Sequence, residues 1–210
     1  MTYAVKEAFL TLQGEGMQAG RRAVFLRLAG CNLWSGREQD RASAQCNFCD
    51  TDFVGTDGEG GGKFASAEAL AEQVSKLWGD GRERRLVVVT GGEPMLQLDK
   101  PLIDALHERG FQVAVETNGT LPATKGVDWI CVSPKAGTDV VQRSGDELKL
   151  VWPQKGIDPA ELESWDFENF LVQPMDCADR EKAMEAAIAL AMERPKWRLT
   201  LQAHKVVGLP

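Results

Sequence analysis

The stretch that decides the fold is Arg85-Leu86-Val87-Val88-Val89-Thr90-Gly91-Gly92-Glu93-Pro94, an apolar run that ends in two glycines and a glutamate. Similar apolar runs precede turn residues at 23–28 and 112–116. Near-continuous runs of this kind indicate strands that are buried on both faces of a parallel sheet. Three shorter runs predict further strands, at residues 129–132, 148–151 and 169–172.

Helical segments separate these runs. Residues 66–78 begin at Ser66, a typical N-cap residue, and carry leucine and valine at helical spacing. Residues 98–108 end before a glycine, and the alanine-rich segment 179–194 ends before Pro195. Strands that alternate with helices predict a parallel α/β sheet, and six strands are too few for a closed eight-stranded barrel. We therefore expect an α/β fold, an open partial (β/α) barrel with a mainly parallel six-stranded sheet.

The length and composition are those of one globular domain. The chain has 210 residues, of which 43% are hydrophobic and 26% are charged, which excludes disordered and collagen-like classes. No apolar run approaches the roughly 20 residues that cross a bilayer, and residues 1–7 have no signal-peptide pattern, so we expect a cytoplasmic protein without a membrane partner. The net charge of −7 disfavours nucleic acid but permits a small anionic ligand.

Three of the five cysteines, Cys31, Cys46 and Cys49, lie close together in the chain. A cytoplasmic chain keeps thiols reduced, and thiolates are the usual ligands of zinc and iron–sulfur clusters. Structural zinc usually has four protein ligands, whereas one Cys-x-x-Cys pair is present here and no histidine lies near it. The spacing alone leaves three alternatives: a four-iron cluster with one open iron, zinc with a distant fourth ligand such as Cys177, or three buried thiols.

Polar segments follow the other predicted strands, at the sheet edge where α/β folds bind ligands. In residues 91–94 the two glycines allow close backbone approach, and Glu93 offers an acceptor to a ligand amine. Residues 116–119, 133–135 and 173–176 hold the same position after their own strands. Each segment in isolation is also typical of an ordinary turn.

Two single residues have competing interpretations. Arg27 lies in a buried strand, where an unpaired charge is costly, so it either pairs with a protein carboxylate such as Glu15 or Glu116 or binds a ligand carboxylate. His204 is one of two histidines, and an isolated histidine near an apolar tail is more often structural than functional.

Taken together, these motifs resemble the radical S-adenosylmethionine (SAM) superfamily over nearly the whole chain. The cysteine triad carries this resemblance, together with Phe48, the Gly-Gly-Glu-Pro turn and Glu-Thr-Asn-Gly at 116–119. Within the superfamily, the chain is similar to the family of 7-carboxy-7-deazaguanine synthases. The supporting motifs are FLTLQGEG at 9–16, RLAGCNL at 27–33, CDT at 49–51, SPK at 133–135 and QAHK at 202–205.

One departure from the superfamily pattern concerns the first cysteine gap, which is usually three residues and here spans residues 32–45. An insertion into a surface loop costs little closure entropy, so it is compatible with cluster binding. We expect a single, reduced radical SAM domain over residues 1–210, with an inserted cluster-binding loop at about 32–62.

The resemblance implies a cofactor set and a division of the site. Cys31, Cys46 and Cys49 would hold a [4Fe-4S] cluster, and Thr51 would bind Mg²⁺. The residues implied for SAM binding are Phe48, Gly92, Glu93, Ser133, Pro134, Lys135, Gln173, Pro174, Met175 and Asp176. The residues implied for substrate binding are Leu12, Gln13, Gly14, Glu15, Arg27, Thr90, Glu116, Asn118, His204 and Pro210.

The resemblance also implies the reaction. A radical SAM lyase of this family converts 6-carboxy-5,6,7,8-tetrahydropterin to 7-carboxy-7-deazaguanine and ammonia, in queuosine and 7-deazapurine biosynthesis. The reaction begins with a 5′-deoxyadenosyl radical derived from SAM, so no side chain is expected to act as the catalyst itself. A flavodoxin- or ferredoxin-type protein would donate the electron, and a homodimer would complete the shortened barrel. The competing hypotheses are a glycyl-radical-enzyme activase and a non-enzymatic zinc-binding module.

Overall fold

The computed structural model describes residues 2–209. The strands are β1 (Tyr3–Leu12), β2 (Arg22–Leu28), β3 (Gly62–Phe64), β4 (Leu86–Gly91), β5 (Gln112–Thr117), β6 (Trp129–Val132), β7 (Ser144–Trp152), β8 (Asp166–Pro174) and β9 (Trp197–Leu199). The helices are α1 (Ala67–Trp78), α2 (Lys100–Glu108), α3 (Pro159–Leu162), α4 (Arg180–Glu193) and α5 (Ala203–Val207). Two short 3₁₀ segments occupy Glu38–Ser43 and Pro94–Leu96.

The strands form one open, mainly parallel sheet, which confirms the predicted fold class. The order is β3-β1-β2-β4-β5-β6-β7-β8-β9, and each neighbouring pair from β2 to β9 is parallel. The predicted number of six strands is wrong, because the sheet within residues 2–209 has nine. The six predicted strands are β2 and β4 to β8, which lie side by side in the middle of the sheet.

The three strands that the sequence did not predict lie toward the edges of the sheet. β1 pairs antiparallel with β2 and with β3, and its apolar run is interrupted by Lys6 and Glu7. β3 and β9 have three residues each, which is too short for a hydrophobic period to be recognised. The sequence patterns therefore missed strands whose apolar run is interrupted by charged residues or that are very short.

The long helices cover the sheet as their patterns predict. Ser66 caps α1, because its side chain accepts a hydrogen bond from the Ala69 amide at 3.2 Å. α2 begins two residues later than predicted, since Asp99 caps it by accepting from the Leu102 amide. α1 and α2 enclose one apolar core against β1, β2, β4 and β5, and α4 encloses a second against β7 and β8. Among the described residues, no helix is both long and apolar enough to span a membrane.

This topology places the predicted site at the carboxyl ends of the parallel strands. Parallel strands end on the same side, and the polar segments after β4, β5, β6 and β8 therefore meet there. The loop after β2, which carries the cysteine triad, and helix α5 also reach this edge, since both contribute side chains to the same cleft.

Candidate active site

One cleft of about 480 Å³ at the carboxyl ends of the strands gathers nearly all predicted site residues. The three cysteines, Thr51 and every predicted substrate residue within the described chain line it. The predicted SAM residues also line it, except Glu93 and Pro134. Pro210 lies outside the described residues, so its predicted substrate contact has no structural counterpart here. The structure thus joins motifs that are up to about 190 residues apart in the sequence.

The thiol triad lies at one side of the cleft. Cys46 and Cys49 share a hydrogen bond, which lowers the pKa of Cys49 to about 6 and raises the pKa of Cys46. Burial raises the pKa of the Cys31 thiol, whose sulfur accepts a hydrogen bond from the Leu33 amide at 3.4 Å. The charge of the Lys135 ammonium favours the thiolate form of Cys46 and Cys49, and thiolates are the form that binds iron.

The arrangement of the triad fits an iron–sulfur cluster better than a single zinc ion. Among the described residues, the sulfur atoms of Cys31, Cys46 and Cys49 do not form a group within 4.8 Å of one another, as ligands of one zinc ion would. Cys131 and Cys177 do not line the cleft, so they supply no fourth sulfur ligand. Three thiols that line one cleft match a cluster that leaves one iron open.

The Gly-Gly-Glu-Pro turn packs directly on the loop that carries Cys31. A side chain at Gly92 would clash with the Cβ of Cys31 and the carbonyl of Gly30, so the close approach requires glycine. The Glu93 amide donates to the Gly30 carbonyl at 2.9 Å, which joins the turn to that loop. The backbone of Gly91 and Gly92 therefore lines the cleft beside the first cysteine.

The Glu93 side chain does not reach the cleft, although the sequence predicted that it would orient a ligand amine. Its carboxylate is 1% exposed and accepts hydrogen bonds from the amides of Met95 and Asn118 and from the Thr117 hydroxyl, at 2.8 to 2.9 Å. Burial raises the pKa of this carboxyl group. Glu93 thus ties the Gly-Gly-Glu-Pro turn to the segment after β5.

The predicted SAM side of the cleft contains a half-buried cation and a buried acceptor. The Lys135 ammonium donates to the carbonyl and hydroxyl of Ser133 at 2.8 and 2.7 Å, and it lies 5.9 Å from the Phe48 ring. Burial lowers the pKa of Lys135. Gln173 is 4% exposed, and its buried Oε1 has no hydrogen-bond partner among residues 2–209. An acceptor of this kind fits a ligand with amine or hydroxyl donors.

Arg27 pairs with a protein carboxylate, but the partner is neither of those predicted. Its Nε lies 2.7 Å from Glu7 Oε1, and the two residues are opposite each other in β2 and β1. Thr90 is the partner of Arg27 on the other side, in β4, and all three residues line the cleft. Glu7 takes one of the five guanidinium N–H donors, which leaves donors for a ligand carboxylate.

Glu15 and Glu116 bind Lys149, which sequence reasoning missed. The Lys149 ammonium lies 2.6 Å from Glu15 Oε2 and 2.7 Å from Glu116 Oε2. Lys149 stands within the apolar run of β7, as Arg27 stands within that of β2. The argument that a buried charge needs a partner applies equally to both residues and would have identified Lys149.

Helix α5 closes one side of the cleft. The Lys205 ammonium lies 2.7 Å from Asp50 Oδ2 and 2.6 Å from Asp176 Oδ2, so it joins the cysteine loop to the end of β8. A side chain at Gly14 would clash with the His204 ring, which shows how closely α5 packs on the loop after β1.

The residues between Cys31 and Cys46 fold back on the triad. The Arg41 guanidinium donates to the carbonyls of Asn47 and Cys49 at 3.1 and 3.0 Å, and it lies 4.2 Å from the Trp34 ring. Trp34 packs edge-on against Phe53, with ring centroids 5.6 Å apart. The inserted segment therefore supports the turn that carries Cys46 and Cys49.

Comparison with known proteins identifies the family of this chain. A model of the radical SAM superfamily matches residues 40–147, about half of the chain, and begins after Cys31. A 7-carboxy-7-deazaguanine synthase from Caulobacter vibrioides is 64% identical over 210 residues and covers all of both chains. The chain belongs to the 7-carboxy-7-deazaguanine synthase family. Another member of that family, from Burkholderia multivorans, is 60% identical over the full length of both chains.

A solved structure supports membership in the 7-carboxy-7-deazaguanine synthase family. The crystal structure of QueE from Escherichia coli matches with a TM-score of 0.71 and 30% sequence identity, over 97% of this chain and 95% of that one. Members of this radical SAM family are lyases that use a [4Fe-4S] cluster and SAM, which is the chemistry that the thiol triad and the cleft accommodate.

Proposed function

We propose that this chain converts 6-carboxy-5,6,7,8-tetrahydropterin to 7-carboxy-7-deazaguanine and ammonia, a step of queuosine and 7-deazapurine biosynthesis. The observation that carries the proposal is one cleft in which the three-thiol site lies beside a cation, Arg27, and a pair of carboxylates, Glu15 and Glu116. Several relatives with 57–64% identity over the full chain are named as synthases of this product.

The thiol side of the cleft would hold the cofactors. Cys31, Cys46 and Cys49 would bind the cluster, and the predicted SAM residues that line the cleft would orient SAM, with Lys135 and Gln173 supplying a donor and an acceptor. Glu93 would act through the backbone of Gly92 rather than by direct contact, because its carboxylate is buried and accepts three hydrogen bonds inside the protein. When bound, the cluster and SAM supply a 5′-deoxyadenosyl radical by one-electron cleavage of the sulfonium.

The opposite side would hold the pterin. Arg27 would bind the substrate carboxylate, since a guanidinium donates to carboxylates in a well-defined geometry. Thr90 lies beside it in the neighbouring strand. Glu15 and Glu116 would accept hydrogen bonds from the N–H groups of the pterin.

Four finer points complete the proposal. Thr51 would bind Mg²⁺ through its hydroxyl group, together with substrate oxygens and water, because Mg²⁺ keeps several waters and prefers oxygen ligands. A flavodoxin- or ferredoxin-type protein would supply the electron, and the protein would act as a homodimer. The whole chain would form one radical SAM domain, with residues of about 32–62 as its inserted cluster-binding loop.

Product analysis tests this function. The protein is reconstituted anaerobically with iron and sulfide, reduced, and given SAM, Mg²⁺ and 6-carboxytetrahydropterin, and the products are measured by mass spectrometry. We expect 7-carboxy-7-deazaguanine and ammonia, with a dependence on Mg²⁺. Formation of 5′-deoxyadenosine without that product would contradict the assignment of the substrate and would favour the competing hypothesis, a glycyl-radical-enzyme activase. Stoichiometric zinc without a cluster would support the zinc-binding module.

A further inference from the structure

A buried ionic triplet lies at the floor of the cleft, where Lys149 of β7 contacts Glu15 and Glu116. The side chain of Lys149 is 6% exposed, and those of the two glutamates are each 17% exposed. All three residues line the cleft. Burying three charges costs desolvation free energy, so good geometry and further hydrogen bonds are needed to offset it.

Each carboxylate of the triplet is held from two directions. One oxygen of each faces Lys149, and the other oxygen accepts a hydrogen bond from a side-chain amide. Gln202 donates to Glu15 at 3.0 Å, and Gln13 donates to Glu116 at 3.2 Å. A carboxylate oxygen accepts about two hydrogen bonds, so each group keeps acceptor capacity while it is ionised, although the Cys131 thiol also hydrogen-bonds to Glu116.

The charges around the triplet come from several elements. Burial lowers the pKa of Lys149, but the charges of Glu116 and Glu15 outweigh that effect and raise it, so the ammonium form persists. Burial alone would raise the pKa of Glu15, but the charge and hydrogen bond of Lys149 outweigh burial, so the pKa of Glu15 is lowered. The other titratable groups that act on these residues are Glu147 and Cys131 from β7 and β6, Lys135 after β6 and His204 from α5.

Lys149 is therefore the cation that counters the two carboxylates at the floor. Among the described residues, the ion pairs of Lys149 are with Glu15 and Glu116, whereas the Glu147 carboxylate accepts a hydrogen bond from the Met17 amide at 2.8 Å. Without Lys149, two carboxylates would share a buried site with no counter-charge, and at least one would take up a proton. A protonated carboxyl group donates a hydrogen bond and would no longer present an acceptor pair.

We propose that Lys149 is a positioning residue that holds Glu15 and Glu116 as a fixed, ionised pair of acceptors and thereby selects a ligand edge with adjacent N–H donors. This inference rests on the proposed function, because the pyrimidinone edge of a pterin carries a 2-amino group next to a ring N–H. The product keeps the same edge while the other ring contracts. The acceptor pair thus anchors the half of the ligand that does not react.

The test measures binding of pterin-6-carboxylic acid, a stable fluorescent pterin, to the holoenzyme with SAM from about pH 5 to about pH 7. In Lys149→Met we expect binding about tenfold or more weaker near pH 6, with recovery as the pH rises, because the carboxylates then ionise without the lysine. Lys149→Arg keeps the positive charge, so the pH midpoint of pterin binding is expected to be the same as in the unchanged protein. Iron content and SAM binding should stay the same in both variants.

Lys6→Met is the matched control. Lys6 also contacts two carboxylates, Asp52 and Asp57, but their side chains are 69% and 82% exposed. Water solvates them when the lysine is removed, so the pH midpoint of pterin binding should not move. If Lys149→Met does not fold, Lys149→Gln takes its place, because an amide donates hydrogen bonds without carrying a charge.

The possible outcomes separate this inference from the proposed function. Unchanged affinity and midpoint in Lys149→Met would overturn the inference, and so would a parallel loss of iron, SAM and pterin binding without recovery at higher pH. If the unchanged protein neither binds this pterin nor forms 7-carboxy-7-deazaguanine from the tetrahydropterin, the proposed function fails. In that case ¹³C NMR titration of Glu15 and Glu116 still tests the ion pairing, and unchanged titration midpoints in the variant would overturn it.

Discussion

The floor of the cleft and the cluster-binding loop hold their charged groups in different ways. We define the cleft floor as Glu15, Glu116 and Lys149, with Cys131 and Glu147 next to it in the sheet but outside the cleft lining, and the cluster loop as residues 32–62. Glu116, Cys131 and Glu147 are direct neighbours across β5, β6 and β7, and they are placed by the sheet register. The groups of the cluster loop are placed by single side chains instead.

The same contact therefore has different consequences in the two regions. Lys149 and Lys6 each lie between two carboxylates at 2.6 to 2.8 Å. The partners of Lys149 are largely buried, whereas those of Lys6 are mostly exposed. Exposed pairs contribute little because water competes, but removing one partner of a buried pair leaves an uncompensated charge. The depth of burial, not the distance, decides how much each lysine contributes.

The largest effect should come from the thiols that the cluster loop carries or adjoins. Replacing Cys31, Cys46 or Cys49 by Ala should reduce the iron content after reconstitution to background, because a cluster needs three thiolates to remain bound. Cys177→Ala is the control and should retain the iron, since Cys177 does not line the cleft. Full iron content in Cys31→Ala would contradict the assignment of the ligands.

The next largest effect should fall on stability at the cleft floor. Lys149→Met should lower the free energy of unfolding by about 3–5 kcal/mol near neutral pH, as expected for one partner of a buried ion pair. Lys6→Met should cause a much smaller loss, since its partners are solvated. Urea unfolding of the apoproteins measures both values. Equal losses would show that burial does not distinguish the two regions.

Arg27→Ala should weaken substrate binding by about tenfold to a hundredfold, the contribution of a hydrogen bond to a charged group. Cleavage of SAM in the absence of substrate should continue, because Arg27 lies among the predicted substrate residues. Arg22→Ala is the control on the same strand, where Arg22 is exposed and donates to the Trp78 carbonyl. The KM for the pterin and the yield of 5′-deoxyadenosine are measured, and an unchanged KM would leave Arg27 only its structural pairing with Glu7.

A smaller, pH-dependent effect is expected for Glu147. Burial, which is the larger cause, and next the charge of Glu116 raise the pKa of Glu147 in the folded protein above its value in the unfolded chain. The folded protein therefore loses stability as the pH rises from the unfolded pKa through the folded pKa. Glu147→Gln removes that loss and can keep the hydrogen bond from the Met17 amide at 2.8 Å. The variant should therefore gain stability relative to the unchanged protein at about pH 8 more than at about pH 4. The same difference at both pH values would contradict a raised pKa.

The smallest effect is expected for Lys205→Met, which breaks the contacts of α5 with Asp50 and Asp176. The lysine is 40% exposed, so the change in the free energy of unfolding should be below about 1 kcal/mol. Thermal unfolding measures it. A loss of stability as large as that of Lys149→Met would show that the Lys205 contacts stabilise the fold as much as the buried ion pairs of the cleft floor do.

Local patterns in the sequence determined the central strands of the sheet and the location of the site. The runs that became β2 and β4 to β8 are apolar over several residues, because central parallel strands are buried on both faces. The glycines and polar residues that follow these strands indicate the end of the sheet that carries the site. The thiols of the triad were recognisable because their spacing is local.

Only the tertiary structure decided which charges meet. Lys149 contacts Glu15 across 134 positions of sequence, and Arg27 pairs with Glu7 rather than with Glu15 or Glu116. Glu93 turns inward to accept three hydrogen bonds, although its motif suggested a ligand contact. Strand and helix periods depend on near neighbours, whereas these pairings depend on sheet register and on which polar groups lose water on folding. That is why the sequence determined the place of the site and the tertiary structure decided its partners.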